Sequence, residues 1–359
     1  MTDLLNSLLL QIKQTGPITV ADYMNICLLH PKHGYYSKQD PFGKKGDFIT
    51  SPEISQVFGE LLGLCLAQNW IDQGMEPFSL VEAGPGRGTL MADILRATKS
   101  VPGFHKNMSI HLIEESPALK KIQRETLSNF CVQWHKSFNH LPKKQIYFIA
   151  NEFFDALPIK QFFKKKEDWI ERFVDLKEEN KAEFKEQLTD IKKIEQQLNF
   201  EISKNQNIIE YSPDTFKYLK NICSIVNKND GGILIIDYGY LSSKMHETLQ
   251  AVNNHKHSNV LEDIGDSDIT YNINFNLFNK FIEQFSDLNS IVSNQKKFLT
   301  SMGILQRAEM VSENIPFSKK TDLFYRIRRL IDEKQMGELF KVMLIKKSKN
   351  KFNTGFQID

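Results

Sequence analysis

The sequence predicts an α/β protein in which a mostly parallel sheet is covered by helices on both faces. An N-terminal helical segment and insertions are added to this core. Apolar strands alternate with amphipathic helices from residue 78 onward, which is typical of parallel strands joined by helical crossovers. A glycine-rich loop directly follows the first of these strands, as in many ligand-binding sheets. With 359 residues, of which 41% are hydrophobic, the chain can bury a substantial core.

Composition and charge argue against several classes of protein. The 46 Lys and Arg residues nearly balance 44 Asp and Glu residues, giving a net charge of +2. A nucleic-acid clamp is therefore not expected. The four cysteines form no C-x-x-C pair, and the histidines lack a third ligand at usable spacing, so we predict no disulfide framework and no metal. No run of 18 apolar residues is present, so no membrane insertion is expected.

The N-terminal region, residues 1–74, is predicted to be helical and to contain one long covering loop. Leucine and isoleucine residues recur on one face of a first helix. Residues 30–53 combine glycines and prolines with four aromatic residues, a composition typical of an ordered functional loop. Ser51 or Thr50 is expected to cap the next helix, whose apolar face would carry Val57, Phe58, Leu61, Leu62 and Leu64.

The start of the chain has neither a basic n-region nor a small-residue cleavage site. Acidic Asp3 and the lack of arginine there also argue against a mitochondrial transit peptide. We therefore expect a bacterial cytoplasmic protein. The alternative that stays open is a mature protein of the mitochondrial matrix.

The core sheet is predicted over residues 75–240 and 336–350. Its strands begin at Phe78, Ser109, Cys131, Ile146 and Gly232, and the last strand lies in MGELFKVMLIKKS. An insertion of about residues 159–210 begins with a hairpin, and its residues 177–207 are Lys/Glu/Gln/Asn-rich and expected to be mobile and solvated. Residues 241–335 are predicted to be a mostly helical insertion that binds substrate.

The loop VEAGPGRG places Gly84, Gly86 and Gly88 after the first sheet strand. Glycine lets the backbone turn tightly and approach a ligand, and the following helix presents free N–H groups. The spacing is G-x-G-x-G rather than the G-x-G-x-x-G of a dinucleotide site. Glu82 would repel a pyrophosphate but attract a cation. We therefore predict S-adenosylmethionine as the cofactor, with a structural turn as the alternative.

Other residues at the ends of strands are candidates for the same site. Glu114 is a candidate to accept hydrogen bonds from ribose hydroxyls. Trp134 is a candidate to stack on adenine, with packing as the alternative. Asp237 and Tyr238 are candidates to line the pocket, with a buried hydrogen bond and packing as alternatives.

The segment ANEFFDALP brings polar residues to the end of the fourth strand. Asn151 is assigned to the cofactor, and Glu152 and Asp155 are predicted to be catalytic. Carboxylates bind a guanidinium bidentately and can help its proton to depart. The alternative is a helix cap for Asp155 and a surface position for Glu152. Glu53 is a third candidate carboxylate, unless it only compensates a helix dipole.

With these residues, the chain resembles the MidA-like class I methyltransferases. This family includes the mitochondrial protein arginine methyltransferase that assists respiratory complex I assembly. The matching segments are ADYMNICLLHPKHGYY, DPFGKKGDFITSPEISQVFGELLG, VEAGPGRGTLMADILR, HLIEESP, IANEFFDALP, LIIDYG, ETLQAV and MGELFKV.

The resemblance implies a class I methyltransferase Rossmann-like fold and methyl transfer from S-adenosylmethionine to a protein arginine, giving symmetric dimethylarginine. It implies a respiratory complex I-type subunit as substrate. It maps the cofactor residues onto Glu82, Gly84, Gly86, Gly88 and Glu114. It also places the motif from Gly46 to Glu53 over cofactor and substrate.

Two other functions stay open at this point. One is a non-catalytic assembly chaperone with a vestigial cofactor site. The other is a nicotinamide oxidoreductase, against which the glycine spacing counts. The expected partner is a protein substrate, with no nucleic acid, and a homo-oligomer is left open.

Overall fold

The computed structural model describes residues 3–38, 50–177, 181–253 and 256–356. The chain forms two compact units, each built from separated segments. The first unit comprises Met1–Phe48, Phe154–Leu219 and Leu241–Phe281, and the second comprises Ile49–Phe153, Lys220–Tyr240 and Ile282–Asp359. This grouping differs from the three-part division drawn from sequence, because long-range strand pairing joins segments that lie far apart in the chain.

The strands are β1 (Ile18–Thr19), β2 (Phe78–Ala83), β3 (Met108–Ile113), β4 (Val132–His135), β5 (Ile146–Asn151), β6 (Lys160–Lys165), β7 (Asp168–Lys177), β8 (Lys181–Thr189), β9 (Ile208–Tyr211), β10 (Gly231–Tyr240), β11 (Gln250–Asn253), β12 (Lys256–Ser258), β13 (Asp268–Thr270), β14 (Ile273–Asn274), β15 (Leu288–Asn294) and β16 (Phe340–Lys347).

The helices are α1 (Asp3–Thr15), α2 (Val20–Leu29), α3 (Tyr35–Lys38), α4 (Ser51–Ile54), α5 (Gln56–Asp72), α6 (Thr89–Thr98), α7 (Phe104–Asn107), α8 (Pro117–Thr126), α9 (Ile191–Leu198), α10 (Pro213–Asn229), α11 (Phe275–Ile282), α12 (Gln295–Ser301), α13 (Ile304–Glu313), α14 (Phe317–Ile331) and α15 (Met336–Leu339). Among the described residues, none of these helices is both long and apolar enough to cross a membrane.

The second unit contains a seven-strand path in the order β15-β16-β10-β5-β2-β3-β4. The strands from β10 to β4 are parallel, whereas β16 runs antiparallel to both of its neighbours. The chain order reverses between β2 and β5, and a doubly wound sheet binds its ligand at the carboxyl ends of the strands near such a reversal. The predicted α/β fold and its six predicted strands are confirmed.

The edge strand β15 is missing from the sequence-based prediction. Its sequence LNSIVSN is half polar, and only Leu288 is buried. An edge strand of this kind lacks the strong apolar pattern that marks a central strand. By contrast, every residue of β2 and of β5 is buried, which is why the sequence predicts these two strands clearly.

The close packing of α5 on α6 supports the turn that follows β2. Glycines in α5 let the two helix backbones approach. A Cβ on Gly59 would lie 2.6 Å from Asp93 Cβ, and one on Gly63 would lie 3.0 Å from the Ile94 Cα. The start of α6 is thereby held against the core, because larger residues at these two positions would push the helices apart.

The first unit contains a five-strand sheet in the order β1-β7-β6-β9, with β8 added to β7, and a three-strand sheet in the order β12-β11-β13. The predicted hairpin is confirmed as β6 and β7. The following segment, predicted to be mobile, instead forms β8 and α9. Its backbone pairs with β7 over nine residues, and Arg172 lies 4.7 Å over the Phe184 ring, so secondary structure forms although the composition is polar.

The N-terminal helix α1 buries the predicted apolar face through Leu4, Leu8 and Ile12. Thr50 is the N-cap of α4, as predicted. The predicted continuous helix is wrong, because α4 ends at Ile54 and Ser55 caps the separate helix α5 by accepting from the Val57 N–H. The covering role predicted for the segment from Gly46 to Glu53 falls partly on residues 46–49, which lie outside the described residues. That role stays a prediction.

Candidate active site

The turn between β2 and α6 is the predicted glycine loop. Gly84, Gly86 and Gly88 have φ angles of +61°, +52° and +82°, in the left-handed region that favours glycine. A Cβ on Gly84 would lie 2.7 Å from Phe153 Cδ2, so a side chain there would displace that ring. The turn is closed by the Gly88 N–H, which donates to the Pro85 carbonyl at 2.7 Å.

Glu82 is a buried carboxyl at the end of β2, with 3% of its surface exposed. Its Oε2 atom has no hydrogen-bond partner among the described residues. Burial, and secondarily the negative charge of Asp93, raise the pKa of Glu82 to about 8. A buried carboxylate is costly unless it is paired, so this position fits the cationic end of S-adenosylmethionine.

Gln123, on α8, joins three parts of the predicted cofactor site. Its Nε2 donates to the Gly86 carbonyl at 2.7 Å and to Glu114 Oε2 at 3.1 Å. Its Oε1 accepts from Trp134 Nε1 at 2.9 Å. Sequence analysis missed this residue. The available signal was its position four residues after Leu119. Residues with this spacing lie on the same face of a helix, so Gln123 shares the buried face of α8 although it is polar.

Glu114 and Trp134 lie beyond β3 and on β4, as predicted. The second Glu114 oxygen, Oε1, accepts from the Ser116 N–H at 2.8 Å. Burial raises the pKa of Glu114, although its hydrogen bonds oppose the rise. The Arg124 guanidinium lies 5.1 Å from the centre of the Trp134 ring, a cation–π contact that orients the indole. The structure therefore brings Glu114 and Trp134 together through Gln123.

Glu152 directly follows β5 and has a φ of +51°, which is rare for a residue with a side chain. Its N–H donates to the Ile236 carbonyl at 2.8 Å. Its Oε1 accepts from the Ser51 N–H at 2.8 Å and from Asn151 Nδ2 at 3.1 Å. Burial raises the pKa of Glu152 to about 7, while these hydrogen bonds and the charge of Arg329 oppose the rise.

Asn151 is the last residue of β5 and is 8% exposed. Its amide nitrogen is used by Glu152, but its Oδ1 has no hydrogen-bond partner among the described residues. A buried amide oxygen without a partner is costly. This oxygen therefore fits the predicted place of Asn151 among the cofactor-binding residues.

Glu53 lies in α4, beside the glycine turn. Its Oε1 accepts from Thr89 Oγ1 at 2.7 Å, and Thr89 is the first residue of α6. The structure therefore places Glu53 near the predicted cofactor residues. The bond also agrees with the alternative, in which Glu53 compensates a helix dipole.

Asp155 belongs to the first unit, whereas Glu152 belongs to the second. Asp155 is buried, and its carbonyl accepts from the Tyr271 N–H at 3.1 Å. Tyr36 donates to Asp268 Oδ1 at 3.0 Å, and burial together with the charges of Asp268 and Asp155 raises the Tyr36 pKa. The joint action of Glu152 and Asp155 on one guanidinium stays a prediction.

Asp237 is fully buried near the end of β10. Its Oδ2 accepts from the Phe153 N–H at 3.2 Å, and its Oδ1 accepts from the Tyr238 N–H at 2.9 Å. The Tyr238 ring packs on Phe340, with centroids 4.3 Å apart. These contacts agree with the predicted alternative of buried hydrogen bonding and packing, and they fix the turn that carries Glu152.

The chain is similar to known proteins over nearly its whole length. Residues 61–293 match a family model described as "Putative S-adenosyl-L-methionine-dependent methyltransferase". Two relatives are named protein arginine methyltransferase NDUFAF7, mitochondrial: the mouse protein is 34% identical over 95% of this chain and 83% of its own length, and the human protein is 34% identical over 95% and 82%. The Drosophila melanogaster homolog is 32% identical, and the match covers 93% of this chain and 82% of that protein.

Two solved structures from Burkholderia thailandensis share the fold. One, described as a "likely methyl transferase" and bound to S-adenosyl-homocysteine, has a TM-score of 0.80 and 25% identity, and the match covers 96% of this chain and 91% of that one. The other, a native crystal structure, has a TM-score of 0.78 and 24% identity with the same coverage.

The doubly wound sheet, the glycine turn at its switch point and the buried Glu82 carboxyl define a class I methyltransferase. Its cofactor is S-adenosylmethionine. The chain belongs to the MidA-like family of these enzymes, in agreement with the resemblance found in its sequence.

Proposed function

We propose that this methyltransferase methylates an arginine guanidino nitrogen of a protein. The observation that carries the proposal is the Glu152 carboxyl, which is held at the carboxyl end of β5 by the Ser51 N–H and the Asn151 amide. A guanidinium is a planar, permanent cation that carboxylates bind bidentately. The names of the mouse and human relatives support the same acceptor class.

We assign the cofactor to the residues around the glycine turn. When bound, S-adenosylmethionine supplies the methyl group from its sulfonium. Glu82 faces the cationic end, and the glycines let the backbone approach. Glu114 accepts from the ribose hydroxyls, and Asn151 accepts a further hydrogen bond. The buried oxygens of Glu82 and Asn151 that lack partners among the described residues support this assignment.

Glu152 orients the acceptor guanidinium and accepts the proton that it loses. A guanidinium loses one proton when one of its nitrogens is methylated, and a carboxylate within hydrogen-bond reach can accept that proton. A general base works best when its pKa is near the working pH, and burial brings the pKa of Glu152 to about 7. Alignment of acceptor and methyl group supplies much of the remaining rate. We assign Glu53, in the same unit, as a further acidic residue for this acceptor, whereas the catalytic role of Asp155 stays a prediction.

The resemblance extends the proposal to the product and the substrate. We propose symmetric dimethylarginine as the product and a respiratory complex I-type subunit as the substrate protein. The mouse and human relatives are named mitochondrial. For this chain we propose that methylation takes place in the bacterial cytoplasm or in the mitochondrial matrix.

The test combines methyl-labelled S-adenosylmethionine with a purified complex I-type catalytic-core subunit. We expect label in arginine and symmetric dimethylarginine after hydrolysis. The Glu152→Gln variant should lower the rate about 100-fold or more and leave S-adenosylhomocysteine affinity within about twofold. Binding of cofactor without any labelled arginine would reject the proposal and favour an assembly chaperone.

A further inference from the structure

The outward side of α14 carries an unusual set of exposed aromatic residues. Phe317 is 84% exposed, Tyr325 is 66% exposed and Phe324 is 38% exposed. Isolated exposed apolar residues are ordinary, but several on one helix face mark an interaction surface. Aromatic residues and arginine are also the types enriched in protein interfaces.

These side chains border one shallow, open depression. It has a volume of about 560 Å³ and is lined by Phe317, Lys320, Thr321, Phe324, Tyr325 and Arg328. The spacing of three or four residues places most of them on one face of the helix. At 1.5 Å per residue this face is roughly 16 Å long. That length suits a short peptide segment of about five extended residues. We call these six residues the α14 surface.

The helix is also strongly basic. It contains one acidic residue, Asp322, and five basic residues, Lys319, Lys320, Arg326, Arg328 and Arg329. The whole chain has a net charge of only +2, so this helix concentrates positive charge that the rest of the molecule balances. A surface of this kind attracts an acidic partner and disfavours a basic one.

The same helix borders the proposed acceptor site within the second unit. Arg326 Nη1 donates to the carbonyl of Ile54, in α4, at 3.3 Å. The first residue of α4, Ser51, donates its N–H to Glu152. The positive charge of Arg329 also opposes the rise in the pKa of Glu152. Arg326 and Arg329 are not part of the α14 surface. Tyr325, at one edge of that surface, is four residues before Arg329 and so lies next to it on the helix. This edge therefore borders the residues of α14 that reach the acceptor site.

We propose that the α14 surface binds an acidic and apolar segment of the protein substrate, next to the arginine that is methylated. This inference rests on the proposed function. The aromatic residues provide apolar contact area. Arg328 Nε donates to Asp332 Oδ2 at 3.3 Å, so Lys320 and the terminal amino groups of Arg328 pair with the acidic residues of the segment. The surface thus selects arginines by the acidic residues around them, which a site made only of carboxylates cannot do.

The probe is a library of short peptides, each with one central arginine and varied flanking residues, supplied with methyl-labelled S-adenosylmethionine. Wild-type protein is compared with Lys320→Glu/Arg328→Glu and with Phe317→Ser/Tyr325→Ser. The matched control is Lys106→Glu/Lys349→Glu, which reverses two exposed charges elsewhere in the second unit. We expect wild type and control to prefer peptides with Glu, Asp and Leu or aromatic flanks.

The charge reversal should lower kcat/KM for acidic-flanked peptides about tenfold or more and raise it for lysine-flanked peptides. The serine variant should weaken both peptide classes without changing the order of preference. S-adenosylhomocysteine affinity should be unchanged in both variants, because none of these four side chains belongs to the assigned cofactor residues. Equal flank preferences in wild type and the charge-reversed variant would overturn the proposal while leaving arginine methylation intact.

Other occupants of the surface give distinct results. If wild type methylates no arginine peptide although it binds cofactor, the proposed function fails and the inference falls with it. A wild-type dimer that the serine variant converts to a monomer, with peptide preferences unchanged, would assign the surface to a second copy of the chain. A single-stranded oligonucleotide that blocks the surface, again with unchanged peptide preferences, would assign it to nucleic acid. Both of these results contradict the proposal.

Discussion

The Ser51 N–H donates a 2.8 Å hydrogen bond to Glu152 Oε1 across a separation of 101 residues. Ser51 lies in the motif GDFITSPE, and Glu152 lies in the motif NEFFDALP. The two segments that most clearly carry the family resemblance therefore meet in space. The bond also explains how α4, a helix of only four residues, contributes to the site at the end of the central strand β5.

Replacement of Glu152 by Gln should remove most methyl transfer and its dependence on pH. The wild-type pKa of about 7 means that the carboxylate form increases as the pH rises through neutrality. We expect kcat to rise between about pH 6 and pH 8 in wild type, and the residual rate of Glu152→Gln to stay flat. The measurement is kcat against pH at saturating cofactor.

The control for this profile is Ser212→Ala, a buried polar change in the first unit. It should keep the wild-type midpoint even if the protein is less stable. A Glu152→Gln variant that keeps the same rising profile would show that another group controls the rate.

Replacement of Glu82 by Gln should stabilise the ligand-free protein at high pH and weaken cofactor binding. The folded-state pKa of about 8 lies above the usual value of 4.5, so the folded protein binds the proton more tightly than the unfolded chain. The stability associated with this group is fully present below about pH 4.5 and is lost progressively as the pH rises from there to about 8. The amide removes that loss and also the charge that attracts a cation.

Melting temperatures at pH 5 and pH 8.5 test this expectation. Glu82→Gln should match wild type at pH 5 and exceed it by at least about 2 °C at pH 8.5. S-adenosylmethionine should raise the melting temperature of wild type much more than that of the variant. The exposed residue Glu76 lies in the same unit, and Glu76→Gln should change neither quantity. A lower melting temperature for Glu82→Gln at pH 8.5 would mean that the carboxylate has a stabilising partner.

The central strands and the glycine loop could be predicted because their physical signals are local. The strands β2 and β5 are largely apolar runs in the sequence. The positive φ angles of the turn favour glycine, and the glycines Gly84, Gly86 and Gly88 are visible directly in the sequence. The candidate residues Glu82 and Glu114 followed from their positions at strand ends. In each case a few neighbouring residues determined the conformation.

The remaining features depend on contacts between distant segments. Gln123 looks like an ordinary polar residue of an amphipathic helix until its three partners are known. Glu60 lies 2% exposed in α5 because Arg96 and Arg307, from two other helices, pair with it. The edge strand β15 gains order from pairing with β16, which no local pattern indicates. Tertiary pairing of this kind is not encoded in a single window of sequence.

Replacement of Gly84 by Ala should cost more stability than the same change at Gly74. Both glycines have positive φ, at +61° and +90°, so the backbone strain of alanine is similar. A Cβ at Gly74 meets nothing within 4 Å, whereas one at Gly84 would lie 2.7 Å from the Phe153 ring. The difference between the two variants isolates this crowding.

The two variants are compared by urea unfolding and by calorimetric titration with S-adenosylhomocysteine. We expect Gly74→Ala to lose about 1 kcal/mol with unchanged affinity. Gly84→Ala should lose about 1–3 kcal/mol more. It should also bind the ligand at least about tenfold more weakly, because the displaced Phe153 ring lies directly after Asn151 and Glu152 in the chain. Equal effects on affinity would show that the ligand does not approach Gly84.

Replacement of Gln123 by Met should weaken cofactor binding more than it weakens the fold. Met keeps a similar volume but removes the bonds to Gly86, Glu114 and Trp134. The Glu114 carboxylate and the Trp134 ring then lose the group that fixes their relative positions. One lost positioning hydrogen bond of about 1.4 kcal/mol corresponds to about a tenfold rise in Kd. We expect at least that rise for S-adenosylhomocysteine, measured by calorimetry together with the ligand-dependent change in tryptophan fluorescence.

The control is Gln68→Met, because the exposed Gln68 side chain donates to exposed Asp72 at 2.9 Å on the surface of α5 and makes no bond to the predicted cofactor residues among those described. It should leave Kd and the fluorescence response unchanged. A Gln123→Met variant with a lower melting temperature but a wild-type Kd would assign Gln123 to packing alone. A raised Kd with a nearly unchanged melting temperature would instead establish it as a positioning residue, since a purely structural role affects folding before it affects the ligand.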